Sequence, residues 1–237
     1  MYPVMLDGTA LDALIVGGGD VAARKAEALI ASGARVHLIG SRIGARCRVL
    51  AGHPRVTVEA RALDRGDIAR EIAAAMLVVA ATDDPELNAA IAAEAKRLRR
   101  LVNVVDAPGA GNCITPATHR AGGLTIAVSA GGVPSAAVRI RDAIAERFDD
   151  RYAAALASLA QLRERLLGRD DRDDRDDRGD RDDRDDRDGG EGGERGAVHP
   201  AGNGRVAWKD AARTLVADDF CESVERSTFA ERVAQWR

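Results

Sequence analysis

The stretch "ALIVGGGDVAARKAEALIASGARVHLI", from Ala13 to Ile39, restricts the possible folds more than any other part of the chain. Four apolar residues run into three glycines and an acid. A helix-forming segment follows, with Val21, Ala22, Ala28 and Leu29 expected on one face and Gly33 as its C-cap. "RVHLI" then begins a second apolar strand. The alternation continues through "RVTVEA", the helical "DRGDIAREIAAA", the strand "MLVVAA", the helix "DPELNAAIAAEAKRLRR" and the strand "LVNVV". In the last of those helices Asp84 serves as N-cap, Pro85 takes the first position and basic residues fill the final turn. Repeated strand–helix alternation predicts an α/β fold: a Rossmann-like parallel sheet with helices on both faces, spanning 1–116.

Beyond Pro116 the rhythm changes. "GLTIAVSAGGVPSAAVRIRDAIAERF" predicts a strand, a glycine turn and a helix beginning near Pro134, which we take as a separate region, 117–148. "DRYAAALASLAQLRERLLG" is amphipathic and opens a small helical domain at 149–167. The chain then enters "RDDRDDRDDRGDRDDRDDRDGGEGGERG", which offers no apolar residue until Ala197. A segment with nothing to bury is expected to be a disordered linker, 168–204. Its carboxylates do not suggest calcium, because an arginine interrupts each triplet and no ligand-loop spacing is present. Helical periodicity returns at 205–237, with Trp208, Leu215, Val216, Phe220, Phe229, Val233 and Trp236 as packing residues.

Composition removes several functions. A net charge of −3 gives no bulk case for nucleic-acid binding. No apolar run approaches the roughly 20 residues needed to cross a bilayer, and the N-terminus lacks the basic and apolar regions of a signal peptide. Cys47, Cys113 and Cys221 are widely separated and form no paired metal spacing, so no metal site is expected and a reduced, cytoplasmic chain is.

"GGGDVAARK" carries the clearest chemistry. Gly17, Gly19 and Ala22 fit G-x-G-x-x-A: a tight turn, a bare approach for a pyrophosphate, and close helix–strand packing. Placed between a strand and a helix N-terminus, this is a dinucleotide fingerprint, although a glycine turn without a ligand would look the same. The acid expected about 20 residues on, for the adenosine ribose, is missing. Gly40, Ser41 and Arg42 stand there instead, which leaves both NAD and NADP open. In "NVVDAP" an aspartate, Asp106, ends an apolar strand. It is either a turn residue or a functional acid beyond a strand's carboxyl end.

Four stretches occur in order: "YPVMLDG…ALIVGGGDVAARKAEALIASGARV", "VVAATDDPELNAAIAAEA", "VNVVDAP" and "LTIAVSAGGVPSAAVRIRDAI". Together they resemble the siroheme synthase N-terminal module, the precorrin-2 dehydrogenase and sirohydrochlorin ferrochelatase family, over about Tyr2 to Leu167. The resemblance implies NAD-dependent oxidation of precorrin-2 to sirohydrochlorin. In some members Fe2+ insertion follows, with the iron as substrate. It also implies a homodimer joined through the region after the sheet. It assigns Asp106 as the catalytic acid–base group, where partial burial and the substrate's own carboxylates would strengthen it as a base. Asp20 and Val21 match cofactor-contacting loop positions, Ser41 and Arg42 a second contact, and Thr82 and Asp83 the nicotinamide side.

Ser129 is kept in "AVSAGG", whereas many relatives have a second serine at the place of Ala130. Arg120 and Arg139, and with them His119 and Arg141, are candidates for the substrate carboxylates, since arginine pairs with them bidentately. His37 reads as structural. Two other readings stay open: a dehydrogenase without chelatase activity, and a non-catalytic dinucleotide sensor.

The triplet repeat generates one expectation by itself. It has nothing to add to a core, and closing a longer loop costs little more than closing a short one. Replacing Arg169 to Gly196 by a short Gly/Ser linker should therefore leave dehydrogenase activity within a few-fold, as measured in steady-state assays. A folded but inactive variant would give the repeat a function.

Overall fold

Five short apolar runs supply one parallel sheet because each carries β-formers on both of its faces and needs cover on both. In the computed structural model these are β1 (Asp12–Val16), β2 (Arg35–Gly40), β3 (Val56–Ala60), β4 (Leu77–Ala80) and β5 (Leu101–Val104), all parallel, in the order β3-β2-β1-β4-β5. The structure describes residues 1–176 and 203–236, with side chains through 167 and from 207 onward. It forms two compact units, Met1–Thr115 and Pro116–Arg237.

Pleating sends alternate residues of the first unit's sheet to two cores. Leu14, Val16, Val78, Val102 and Val104 pack against α3 (Ile68–Ala73) and α4 (Pro85–Arg97), which contribute Ile72, Ile91 and Ala95. Ile15, Val36, Leu38 and Val79 face α1 (Asp20–Ala31) and α2 (Ala45–Leu50), with Ala22, Ala23, Ala26 and Cys47 buried between. The buried stripe of α1 is thus Ala22, Ala23 and Ala26 continuing to Leu29, while Ala28, expected on that face, is exposed. Small residues in the first two turns let α1 lie close on the sheet, and 28 falls on the opposite side of a 3.6-residue turn.

Helix ends follow their sequence signals. Gly33, at φ +92°, closes α1, with Ala34 N donating to Leu29 O at 3.0 Å. The Asp84 carboxylate accepts from Glu86 N and Leu87 N at the start of α4. Helix α2 has no strong periodic signal and was not expected. His37 pairs with Glu59 on the neighbouring strand at 2.8 Å, in keeping with a structural role.

The second unit begins with a hairpin, β6 (Ala117–Ala121) and β7 (Leu124–Val128), followed by α5 (Pro134–Arg147). Of the pair, β6 was not foreseen, because "ATHRA" has too few apolar residues to read as a strand. Helices α6 (Asp150–Asp176), α7 (Asn203–Leu215), α8 (Phe220–Glu225) and α9 (Phe229–Ala234) complete the unit. Tyr152, Leu159, Leu162, Leu215, Phe229 and Val233 form its core, and Leu124, Phe148 and Trp236 pack against it. Hairpin, α5 and helices therefore share one body. Val216, expected to pack, is half exposed at 50% because it lies just past the end of α7.

Helix α6 carries its backbone to Asp176, past Gly168 where the linker was expected to start. Extending an existing helix costs far less than nucleating one, even through weak helix formers. The rest of the expected linker, 177–202, lies outside the described residues. Among the described residues no helix is long and apolar enough to cross a membrane.

Candidate active site

The order β3-β2-β1-β4-β5 reverses between β1 and β4, and open α/β sheets bind ligands at such a switch point, beyond the carboxyl strand ends. A cleft of about 930 Å³ opens there, lined by residues that follow β1, β2, β3, β4 and β5. It gathers Gly17, Gly19, Asp20, Val21, Ser41, Arg42, Thr82, Asp83 and Asp106 in one place. Every cofactor residue expected from the sequence lies on it, and so does the expected catalytic acid.

The floor of the cleft is set by two glycines that cannot be replaced. Gly17 has φ +132°, and a Cβ there would meet Ala81 O at 2.2 Å. A Cβ on Gly18 would meet Arg42 O at 2.0 Å. Gly44 N donates to Gly18 O at 2.8 Å, so the β2–α2 loop is stapled to the glycine loop. The fingerprint treats the middle position as free; here it is fixed by that second loop, which local sequence does not reveal.

Gly19 is different. A Cβ on it would meet nothing within 4 Å, so protein packing does not demand a glycine. It is the N-cap of α1, and no side chain caps the helix. The first-turn N–H groups of a 12-residue helix are thus left facing open space, an arrangement that suits a pyrophosphate. Ala22, wholly buried, lets α1 approach the sheet as the motif requires. The residues present fit a dinucleotide.

Thr82 is held by a residue the sequence reading passed over. Asn88, 4% exposed in the second turn of α4, accepts from Thr82 N (3.2 Å) and Thr82 Oγ1 (2.7 Å) and donates to Thr82 O (3.1 Å). An asparagine on the core face of a helix is the signal that could have found it. Asp83 projects from this turn and is exposed, as is Arg42, whose Nη2 donates to Asp83 Oδ2 at 3.2 Å. Leu63, Leu87 and Ile43 form apolar wall. Beneath the loop, the Cys47 thiol donates to Gly19 O at 3.7 Å, and burial followed by the charge of Asp20 pushes it up from its ordinary pKa.

Asp106 stands just beyond β5 and is exposed. The partial burial expected for it is absent, because the chain turns outward at Ala107 and Pro108. Among the described residues its carboxylate accepts no hydrogen bond, so it does not brace its own turn. The turn is braced from elsewhere. Asn112 Oδ1 accepts from Val102 N (2.7 Å) and its Nδ2 donates to Arg100 O (2.8 Å), while Asn103 Nδ2 donates to Cys113 O. Gly111 lies so close to Val102 O that a Cβ would meet it at 2.6 Å. Lys25 of α1 donates to Thr115 Oγ1, and burial holds its ammonium below the ordinary lysine range.

The expected substrate residues lie in the second unit. Arg120 on β6, Arg139 on α5 and Ser129 after β7 are all exposed. His119 is engaged with Phe148 O at 2.6 Å and Arg141 with Asp142 at 2.7 Å. Among the described residues no group of His, Cys, Asp and Glu could hold a metal.

Fold and cleft define an α/β protein with a glycine loop and helix N-terminus that fit a dinucleotide. Comparison with known proteins narrows this. Residues 4–117 match the family described as "Putative NAD(P)-binding". The siroheme synthase of Ectopseudomonas mendocina is 36% identical over 156 residues, covering 66% of this chain and 32% of that protein. That of Methylococcus capsulatus is 35% identical over 165 residues, 69% of this chain and 34% of that one. The chain is similar to siroheme synthases over about two thirds of its own length, and it spans about a third of the length of these relatives. A solved structure named "SirC, precorrin-2 dehydrogenase" shares the fold, with a TM-score of 0.65 at 20% identity over 99% of this chain and 100% of that one.

The Asn88 bonds generate a prediction. Asn88→Ala removes three contacts and leaves polar atoms of Thr82 short of partners in a half-buried turn. It should destabilise the protein by about 1–3 kcal/mol, read as a lower denaturant midpoint. An unchanged midpoint would mean that the turn is held by other bonds.

Proposed function

We propose that this chain is an enzyme that oxidises precorrin-2 to sirohydrochlorin, with NAD+ as the hydride acceptor. The observation that carries the reading is one cleft that joins an uncapped helix N-terminus behind a glycine loop to the carboxylate of Asp106, which accepts no hydrogen bond among the described residues. The names of its relatives and of its structural neighbour point to the same pathway.

When bound, the nicotinamide would supply the acceptor for a hydride leaving a saturated carbon of the tetrapyrrole. The chain's own work is to hold and to take up a proton. Gly17, Gly18 and Gly19 shape the loop, and the N–H groups of α1 receive the phosphates. Val21, Ser41 and Arg42 border the adenosine side and Thr82 the nicotinamide side, with the Asp83 side chain turned toward Arg42. Asp106 accepts the proton, so that loss of hydride and proton together removes two electrons and two hydrogens from the substrate. Arg120, Arg139 and Ser129 bind the substrate's carboxylates.

Fe2+ insertion into sirohydrochlorin would follow the same logic, because two pyrrole protons must leave and Asp106 is the base at hand. The dehydrogenase reading is the one the cleft favours. A second copy of the chain is the expected partner, and the exposed Val133, Val138 and Ile140 at α5 support a homodimer joined there. The three free thiols suit a reducing compartment such as the cytoplasm.

The test is incubation of purified protein with precorrin-2 and NAD+, followed by absorption spectroscopy with and without Fe2+. A sensor would bind the dinucleotide and leave the spectrum unchanged. Asp106→Asn is nearly isosteric and asparagine also tolerates turns, yet it cannot accept a proton at neutral pH. Sirohydrochlorin formation should fall by about 10²–10⁴-fold while NAD+ affinity changes little. Near-normal turnover in this variant would remove Asp106 from the mechanism.

A further inference from the structure

Both arginines that line the cleft are held by carboxylates from a single turn. Arg42, beyond β2, donates to Asp83 at 3.2 Å, and Arg65, beyond β3, donates to Glu86 at 3.1 Å. Asp83 and Glu86 flank the start of α4. The other charged residues lining the cleft are Asp20, Asp64, Asp84 and Asp106, so five carboxylates, Asp83 included, face two guanidiniums already taken. A bound dinucleotide brings more negative charge into these surroundings.

Position alone would favour the phosphorylated cofactor. The residues just after the second strand meet the adenosine ribose, where an acid accepts from the 2′-hydroxyl and a cation receives a 2′-phosphate. This chain has no acid there and does have Arg42. Yet Arg42 and Asp83 lie on opposite sides of the glycine loop: the Arg42 carbonyl abuts Gly18, and the Ala81–Thr82 backbone abuts Gly17. Their side chains meet across the mouth of the cleft.

We infer that Asp83, by holding Arg42 across that mouth, makes this an NAD+-selective site, a specificity-determining role that rests on the dinucleotide reading above. A 2′-phosphate carries about two negative charges at neutral pH. To receive it, Arg42 must release Asp83, whose charge then faces the phosphate unpaired. The 2′-hydroxyl of NAD+ demands neither change. Discrimination thus comes from a repulsive element and not from a better contact to the favoured ligand. Because both side chains are nearly 90% exposed, at 88% and 87%, the pair is weak and screened by salt, and the selectivity is moderate.

Calorimetric titration of the full chain with NAD+ and with NADP+ tests this, using the unaltered protein, Asp83→Asn, Arg42→Gln and the double variant. Asp83→Ser provides a second way of removing the charge, and far-ultraviolet circular dichroism verifies folding. The unaltered protein should bind NAD+ more tightly. Asp83→Asn and Asp83→Ser should each shift the NADP+/NAD+ affinity ratio toward NADP+ by roughly three- to tenfold. The shift should shrink at high salt and be smaller in the Arg42→Gln background, where no arginine is left to be freed for the phosphate. An unchanged ratio, or the same shift with and without Arg42, would overturn the inference while leaving dinucleotide binding intact. If the unaltered protein bound neither dinucleotide, the reading beneath it would fall, and the inference with it.

Discussion

The carbonyl of Arg42 lies where a side chain on Gly18 would have to be, and the carbonyl of Ala81 does the same to Gly17. Three chain segments, after β1, β2 and β4, can meet at one point only because two residues there have no side chain. From this crossing follow the position of α1, whose N-terminus is delivered to the centre of the cleft, and the seating of the Ser41–Gly44 loop against the glycine turn. A larger residue at either glycine would separate the strand ends that the cleft depends on. Gly19, one step further, is free of that demand, and the space beside it is what a ligand would use.

The second half of the site rests on amide side chains. As an edge strand, β5 has backbone groups that no neighbouring strand satisfies. Asn112 folds back to satisfy them at Val102 and Arg100, and Asn103 ties down Cys113. Protecting the edge and positioning Asp106 are one operation, since the segment that covers β5 begins at that acid. Lys25 anchors the far end of the segment to the cofactor helix itself. Asn88 performs the corresponding service for the turn of Thr82 and Asp83. Both reactive edges of the cleft are thus held by neutral amides, which do not compete for charge with a dinucleotide or an acidic substrate.

Sequence pattern was enough to place all five parallel strands, α1 and α4, because the strands are short apolar runs set between turns and the helices carry explicit start and stop residues. It missed α2 and β6, which are short and held by their surroundings. Gly17, Gly19 and Asp106 could be read from local motifs. The fixed role of Gly18 could not, since the atom that forbids a side chain there belongs to Arg42. Nor could the pairing of Arg42 with Asp83, which depends on two loops separated in sequence. Ala28 was expected on the packed face of α1 and Asp106 partly buried; both are exposed, the first because it lies on the opposite side of the helix and the second because the chain turns outward at Pro108.

If the uncapped start of α1 is a dinucleotide site, Gly19→Asp should block it. Aspartate is a favoured N-cap, the backbone at Gly19 (φ −85°, ψ −174°) suits it, and its side chain has room. It should therefore leave the unfolding midpoint unchanged or raise it, while occupying the first-turn N–H groups with negative charge. The two effects should have opposite signs: stability kept or gained, and NAD+ affinity in calorimetry reduced by more than about tenfold. A stable Gly19→Asp variant that bound NAD+ as tightly as the unaltered protein would contradict it.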